Sequence, residues 1–233
     1  MTNAAPITSG HSSISRNLLG QRLGRKGRDT RERILAATAR LLADPSDSQI
    51  SLSAVAREAS LGMTALYAYF TDLTELLLAA LEPIVASAEE SYIAQLRAHW
   101  RDDELGAQCG AFVHAYHAYW ERHTRILHLR NSLADSNDQR MRQCRIQMAQ
   151  PLTQLLVAQM NGDPAVHRSL ESNMATVLLT SIERLATVAT DTFFTNLPIQ
   201  HREVHVNNLL NAQARLLELG VRDCRDARRR TGR

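Results

Sequence analysis

The stretch from Leu52 to Phe70, LSAVAREASLGMTALYAYF, constrains this chain more than any other, because it sets two short apolar-periodic segments on either side of a hinge at Ala59 to Gly62. In the first segment Leu52, Val55, Ala56 and Ala59 share one helical face, and Ser51 stands where its hydroxyl can cap the helix by accepting from an orphan backbone N–H. In the second, Leu61, Ala65, Leu66, Tyr69 and Phe70 fall at inward spacings, leaving Met63, Thr64 and Tyr67 to point outward. Ahead of both, Ile34, Ala37, Thr38 and Leu41 repeat at i, i+3, i+4 and i+7 and predict a third helix that closes a small core over the other two. This is the pattern of a helix-turn-helix, a unit that lays its second short helix in a DNA major groove.

Charge is distributed to match. Between Arg16 and Arg33 stand Arg16, Arg22, Arg25, Lys26, Arg28, Arg31 and Arg33 against Asp29 and Glu32, a local net of +5 where the whole chain carries +3. Gly20 to Arg28 reads as a flexible basic arm, with Arg25, Lys26 and Arg28 placed for phosphate contacts or for a narrow, A·T-rich minor groove. A second basic cluster, Arg222, Arg225, Arg228, Arg229 and Arg230, reads as a solvated C-terminal tail. With the arm cations, the candidate DNA-contacting residues are Ser51, Gly62, Met63, Thr64, Tyr67 and Tyr69.

The block from Thr30 to Leu77 resembles the N-terminal domain of the TetR family of bacterial transcriptional repressors. RILAATARLL, ISLSAVAREA, LYAYF and the acidic, leucine-rich DLTELLLAAL follow one another in that family's order and spacing, over about a fifth of the chain. The resemblance implies a homodimeric transcriptional repressor bound to double-stranded operator DNA and released by a small-molecule effector. An activator of the same family, or a ligand-binding protein with a degenerate DNA-binding domain, is the alternative. Three positions depart from the family pattern: Ser60 replaces the usual turn glycine, Gly62 the usual Ser or Thr cap, and Leu73 the lysine that often grips a phosphate. Met63 to Phe70 also lacks Arg and Lys, which excludes bidentate guanine readout by this helix. Tyr67 resembles the family tyrosine that reaches a phosphate.

From Asp72 onward the pattern is helical throughout, and the expected fold class is all-α. Helices are predicted over Asp72 to Arg97, Asp103 to Arg122, Thr124 to Leu133, Asp138 to Met160, Pro164 to Thr190 and Pro198 to Leu219, with Pro83 bending or splitting the first of them. The organisation expected is an arm over 1–28, a helix-turn-helix domain over 29–75, a helical ligand-binding and dimerisation domain over 76–221 and a basic tail over 222–233. In the last two long helices, Met174, Val177, Leu178, Ser181, Leu185 and Val188 on one and Val206, Leu209, Leu210, Ala214, Leu216 and Leu217 on the other form stripes suited to an intermolecular four-helix bundle.

Phe112, Tyr116, Tyr119 and Trp120 fall at i, i+4, i+7 and i+8 in a chain with only 5% aromatics, so one helix face holds a third of them or more. Such a stripe is either ordinary core or the wall of a pocket for a small apolar or aromatic molecule, with Met141, Met148 and Met174 as adaptable additions. The candidate ligand-binding residues are Phe112, Tyr116, Tyr119, Trp120, Met148 and Met174. His114, His117 and Glu121 share a helical face that can ligate an ion, but without a fourth ligand no metal is expected.

The rest of the chain narrows the class. No nucleophile elbow, phosphate-cradling loop, metalloprotease signature or dinucleotide fingerprint is present, so neither an enzyme nor a cofactor is expected. Cys109, Cys144 and Cys224 are odd in number and widely spaced, which argues against a disulfide framework. The longest apolar run, Leu76 to Leu81, is far short of the roughly 20 residues of a membrane span. With no basic n-region and apolar h-region at the start, the cytoplasm is the expected compartment.

Overall fold

The computed structural model describes residues 24–44, 50–191 and 202–231. All regular structure among them is helical: α1 (Arg25–Ala43), α2 (Leu52–Glu58), α3 (Met63–Tyr67), α4 (Leu73–Ser91), a 3-10 turn (Ile93–Leu96), α5 (Leu105–Arg122), α6 (Thr124–Asp135), α7 (Gln139–Gln159), α8 (Leu170–Ala189) and α9 (Arg202–Thr231). The all-α expectation holds. The chain divides into two compact units, the first ending at Ala80 and the second starting at Leu81, a boundary inside α4 and five residues later than the sequence pattern placed it.

In the first unit α1 packs on α2 and α2 on α3. The stripe on α1 closes the core as expected: Ile34, Ala37 and Thr38 are buried and Leu41 half-buried, with the Thr38 hydroxyl satisfied internally by the Ile34 carbonyl at 2.9 Å. Val55 and Ala56 from α2, its C-cap Ala59, and Leu66 and Phe70 from the second segment are all buried. Two details differ from expectation. Helix α3 is five residues long, ending at Tyr67, and Ala65 is exposed, because the chain turns at Ala68 and only Leu66 and Phe70 reach the core from this side. At the other end, α1 begins at Arg25, so Arg25, Lys26 and Arg28 stand in its first turns and not on an extended arm. Arg, Lys and Glu are good helix formers, and Gly24 supplies the extended residue that precedes the first turn. Arg16 and Arg22 lie outside the described residues.

In the second unit α9 packs against α5 and α8, and α7 packs against α6, α8 and the 3-10 turn. Gly220 lets α8 and α9 approach closely, since a Cβ there would stand 2.8 Å from Leu178 Cδ1. Helix α4 runs across Pro83 without being split and ends at Ser91; the expected continuation to Arg97 is replaced by the 3-10 turn. Pro164 does not open a helix. The segment after Asn161 passes through a left-handed residue, Arg168, with φ of 70°, and α8 starts at Leu170 with Ser169 as cap, its hydroxyl accepting from Ser172 N at 3.0 Å. The expected break at Asn196 to Pro198 lies outside the described residues. The largest correction is at the C-terminus, where α9 continues to Thr231 and takes the expected basic tail into a helix.

Candidate functional site

The helix-turn-helix is held by local hydrogen bonds. Ser51 Oγ accepts from Ala54 N at 3.2 Å, which fixes the start of α2 as the sequence predicted. The hinge closes where Leu61 N donates to Ala56 O at 2.8 Å, and Ser60 is driven to φ of 53°, the left-handed region that the usual glycine adopts without strain. Ser60 therefore fills the role of the missing glycine at a conformational cost. Gly62, at φ −74° and ψ 152°, is an ordinary extended N-cap with open space around its α-carbon and makes no side-chain cap.

On the face that the motif turns to solvent, Thr64 is exposed, Tyr67 is 49% exposed, and Met63 and Tyr69 are half-buried. Arg25, Lys26 and Arg28 are exposed at the start of α1, where no acidic residue stands in the first turn. Cations at a helix N-terminus add to the positive end of the helix dipole, so together they raise the positive potential that an incoming phosphate meets. Arg31 is a residue that sequence reasoning counted only as charge: its guanidinium lies 5.5 Å from the centre of the Phe70 ring, and Nη2 is buried without a hydrogen-bond partner among the described residues. Leu73 is half-buried at the start of α4; the turn before it is tied instead by Glu75, which accepts from Thr71 N at 2.6 Å while its own N–H donates to Asp72 Oδ1 at 2.9 Å.

The aromatic stripe lies in the second unit and is core. Phe112, Tyr116, Tyr119 and Trp120 are all buried, and Tyr92, which the sequence did not single out, stacks edge-on at 5.0 Å with both Tyr116 and Tyr119. Part of the stripe also borders a cavity of about 30 Å³, roughly the room of one water. Tyr92, Tyr116, Tyr119 and Trp120 form one wall and Met148 and Leu152 another, closed by Arg130 and Glu183. Phe112 and Met174 do not line it; Phe112 packs on Trp100, and Met174 lies beside Gly220.

Arg130 is 4% exposed and carries this site electrostatically. Its Nη2 donates to Glu183 Oε1 at 2.6 Å and to Asn131 Oδ1 at 2.8 Å, Nη1 meets Met148 Sδ at 3.1 Å, and the guanidinium stands 5.6 Å from the Trp120 ring centre. Burial raises the Tyr92 and Tyr116 hydroxyls above the usual phenol range and pushes Tyr119 up to about 12, so all three remain neutral phenols. The Tyr119 hydroxyl is committed to Ile84 O at 2.9 Å. His117 stands 3.6 Å from Glu121 and His114 hydrogen-bonds Asn211, and among the described residues no group of three or more His, Cys, Asp or Glu side chains is placed to hold a metal.

The C-terminal arginines form a latch that the sequence did not reveal. Arg225 is 2% exposed; its Nε donates to Gln159 O at 2.7 Å and its Nη1 to Asp102 at 2.6 Å. Arg229 shares Asp102, Arg228 pairs with Glu171 at 2.6 Å and Arg222 with Glu218 at 2.9 Å. Gln159 itself is buried, accepting from Trp100 N and donating to Leu96 O and Ala98 O, so one amide fastens the chain between the 3-10 turn and α5 to the end of α7. Apart from the Arg222–Glu218 pair within α9, the arginines and their partners lie 57 to 127 residues apart in sequence, beyond the reach of any local pattern.

No family model matches this chain, and no curated protein matches it. Among solved structures, the crystal structure of a TetR-family transcriptional regulator from Streptomyces coelicolor is similar to it, with a TM-score of 0.49 and 19% identity over 79% of this chain and 96% of that one. No helix among the described residues is long and apolar enough to cross a membrane.

Proposed function

We propose that this chain is a DNA-binding transcriptional regulator that acts as a homodimer, and that it is a repressor released from operator DNA by a small effector bound in its second unit. One observation carries the reading: a closed three-helix unit presents Met63, Thr64 and Tyr67 on a short outward helix, while the same unit exposes Arg25, Lys26 and Arg28. Cations supply salt-dependent attraction to phosphates, and a recognition helix without Arg or Lys leaves sequence discrimination to Thr64, to Met63 against thymine methyl groups and to DNA shape.

Two-fold DNA sites call for a two-fold protein. Leu178, Leu210, Ala214 and Leu217 are used up inside one subunit, but Val177 is 64% exposed on α8 and Leu216 and Leu219 are about half exposed on α9, leaving an apolar face for a second copy. Leu216→Glu is expected to convert a dimer to a monomer in sedimentation equilibrium and to lose operator affinity with it.

The function is tested by a mobility-shift titration of the full chain on the DNA upstream of its own gene, against unrelated DNA of equal length. Saturable binding that prefers the upstream DNA supports a regulator. Equal affinity for both DNAs, or no shift on upstream and neighbouring intergenic DNA, overturns it.

A further inference from the structure

The cavity beside Trp120 holds more positive charge and more donors than acceptors. Two arginines, Arg130 and Arg145, line it against one acid, Glu183, and Arg145 is drawn toward Asp135 at 2.8 Å. Guanidinium groups recognise carboxylates best through two parallel N–H donors, yet Glu183 takes only Nη2 of Arg130, while Nη1 faces a thioether, a weak acceptor. The neutral Tyr92 and Tyr116 phenols border the same space. Half of a carboxylate-binding fork is thus filled by an internal carboxylate and half by a side chain easily moved.

We propose that this cavity anchors the carboxylate of a ring-bearing organic acid, which displaces Glu183 and Met148 to take both Nη atoms of Arg130 while its ring lies against Trp120 and Tyr116. The proposal rests on the effector-binding reading of the second unit and names the class of effector. About 30 Å³ admits no ring as the cavity stands, so binding requires both displacements. Met148 is unbranched and adaptable, and the Glu183 side chain is 25% exposed, so it can move its charge to water, whereas Arg130 at 4% cannot. A neutral ligand gives Arg130 no replacement for Glu183 and leaves a buried cation poorly paired.

The full-length protein is titrated with benzoate, its neutral isostere benzamide and the neutral apolar probe indole, followed by displacement of an environment-sensitive dye and by melting temperature. Benzoate is expected to bind at least about tenfold more tightly than benzamide. Glu183→Gln removes the competing carboxylate and is expected to tighten benzoate several-fold and benzamide by less, because only benzoate also escapes repulsion from Glu183; Arg130→Lys abolishes the preference. Should Arg130→Lys fail to fold, the Glu183→Gln comparison decides alone. Equal binding of benzoate and benzamide, or weaker benzoate binding by Glu183→Gln, overturns the proposal. If indole binds and benzoate does not, the acid is the wrong class and the effector reading stands. If none of the three binds to either form, both fall.

Discussion

Two arginine-rich segments of nearly the same composition meet opposite fates in this protein. At the start of α1, Arg25, Lys26 and Arg28 are exposed with no acid in the first turn. Near the end of α9, Arg222, Arg225, Arg228 and Arg229 are tied to Glu218, Asp102 and Glu171, and Arg225 is buried. A charge run announces its sign and never its partners. The first cluster presents its charge to solvent; the second spends its charge inside the second unit, where an arginine can hydrogen-bond in several directions at once.

The strongest way to break this contrast is to remove a cation from each end. Arg225→Met leaves the Gln159 carbonyl without its donor and Asp102 short of a partner, and is expected to lower stability by about 2 kcal/mol in urea unfolding. Substituting Arg25 is expected to leave the unfolding midpoint unchanged. Equal effects at the two ends would mean that the latch contributes nothing.

Acid should loosen the C-terminal cluster in a defined order. Hydrogen bonds from Arg229 and Arg225 hold Asp102 below the usual carboxylate range, and Arg228 and Arg215 do the same for Glu171 and Glu218. Because folding lowers these values, their contribution is fully present above the ordinary carboxylate pKa near 4 and is lost as pH falls through the lower folded values. Burial also lowers His117, His123 and His128 below the ordinary 6.5, so the folded state resists protonation there as well. A melting-temperature profile is expected to decline below pH 6.5 and to steepen below about pH 4; Asp102→Asn should flatten the second part. A profile level down to pH 3 would contradict the latch.

The smallest effect sharpens the N-terminal side. Ser60 holds a left-handed conformation that costs a non-glycine residue about 1–2 kcal/mol, partly offset by the entropy that glycine loses on folding. Ser60→Gly is expected to raise the stability of the full chain by about 0.5 kcal/mol, read from denaturant unfolding, without moving the exposed residues of α3. A destabilised variant would show that the serine side chain matters to the turn.

What was legible in the sequence follows the range of the forces involved. Ser51, Val55, Leu66 and Phe70 act within one or two helical turns, and their spacing displays the two segments and the hinge between them. The end of α3 at Tyr67 is not legible, because periodicity continues through Tyr69 and Phe70 although the backbone turns at Ala68. The start of α8 is not legible either, because Pro164 satisfies the first turn of a helix as well as it satisfies a loop, and Ser169 makes the cap. Of the aromatic stripe, the spacing showed the shared face but not that Tyr92, from another part of the chain, would fill the space in front of it. Arg130 and Glu183 stand 53 residues apart and became a site only when α6 and α8 were brought together.

The central claim, that the basic residues of α1 serve DNA and those of α9 serve the fold, is tested most directly by the salt dependence of DNA affinity in two variants of equal charge loss. One carries Arg25, Lys26 and Arg28 as Ala; the other carries Arg228, Arg229 and Arg230 as Gln. The slope of log affinity against log salt is expected to shrink by about 2 to 3 in the first, one contact for each lost phosphate partner, and to stay at the wild-type value in the second. Equal losses of slope in both would contradict the account, because the DNA would then be responding to net charge and not to the face that α1 presents.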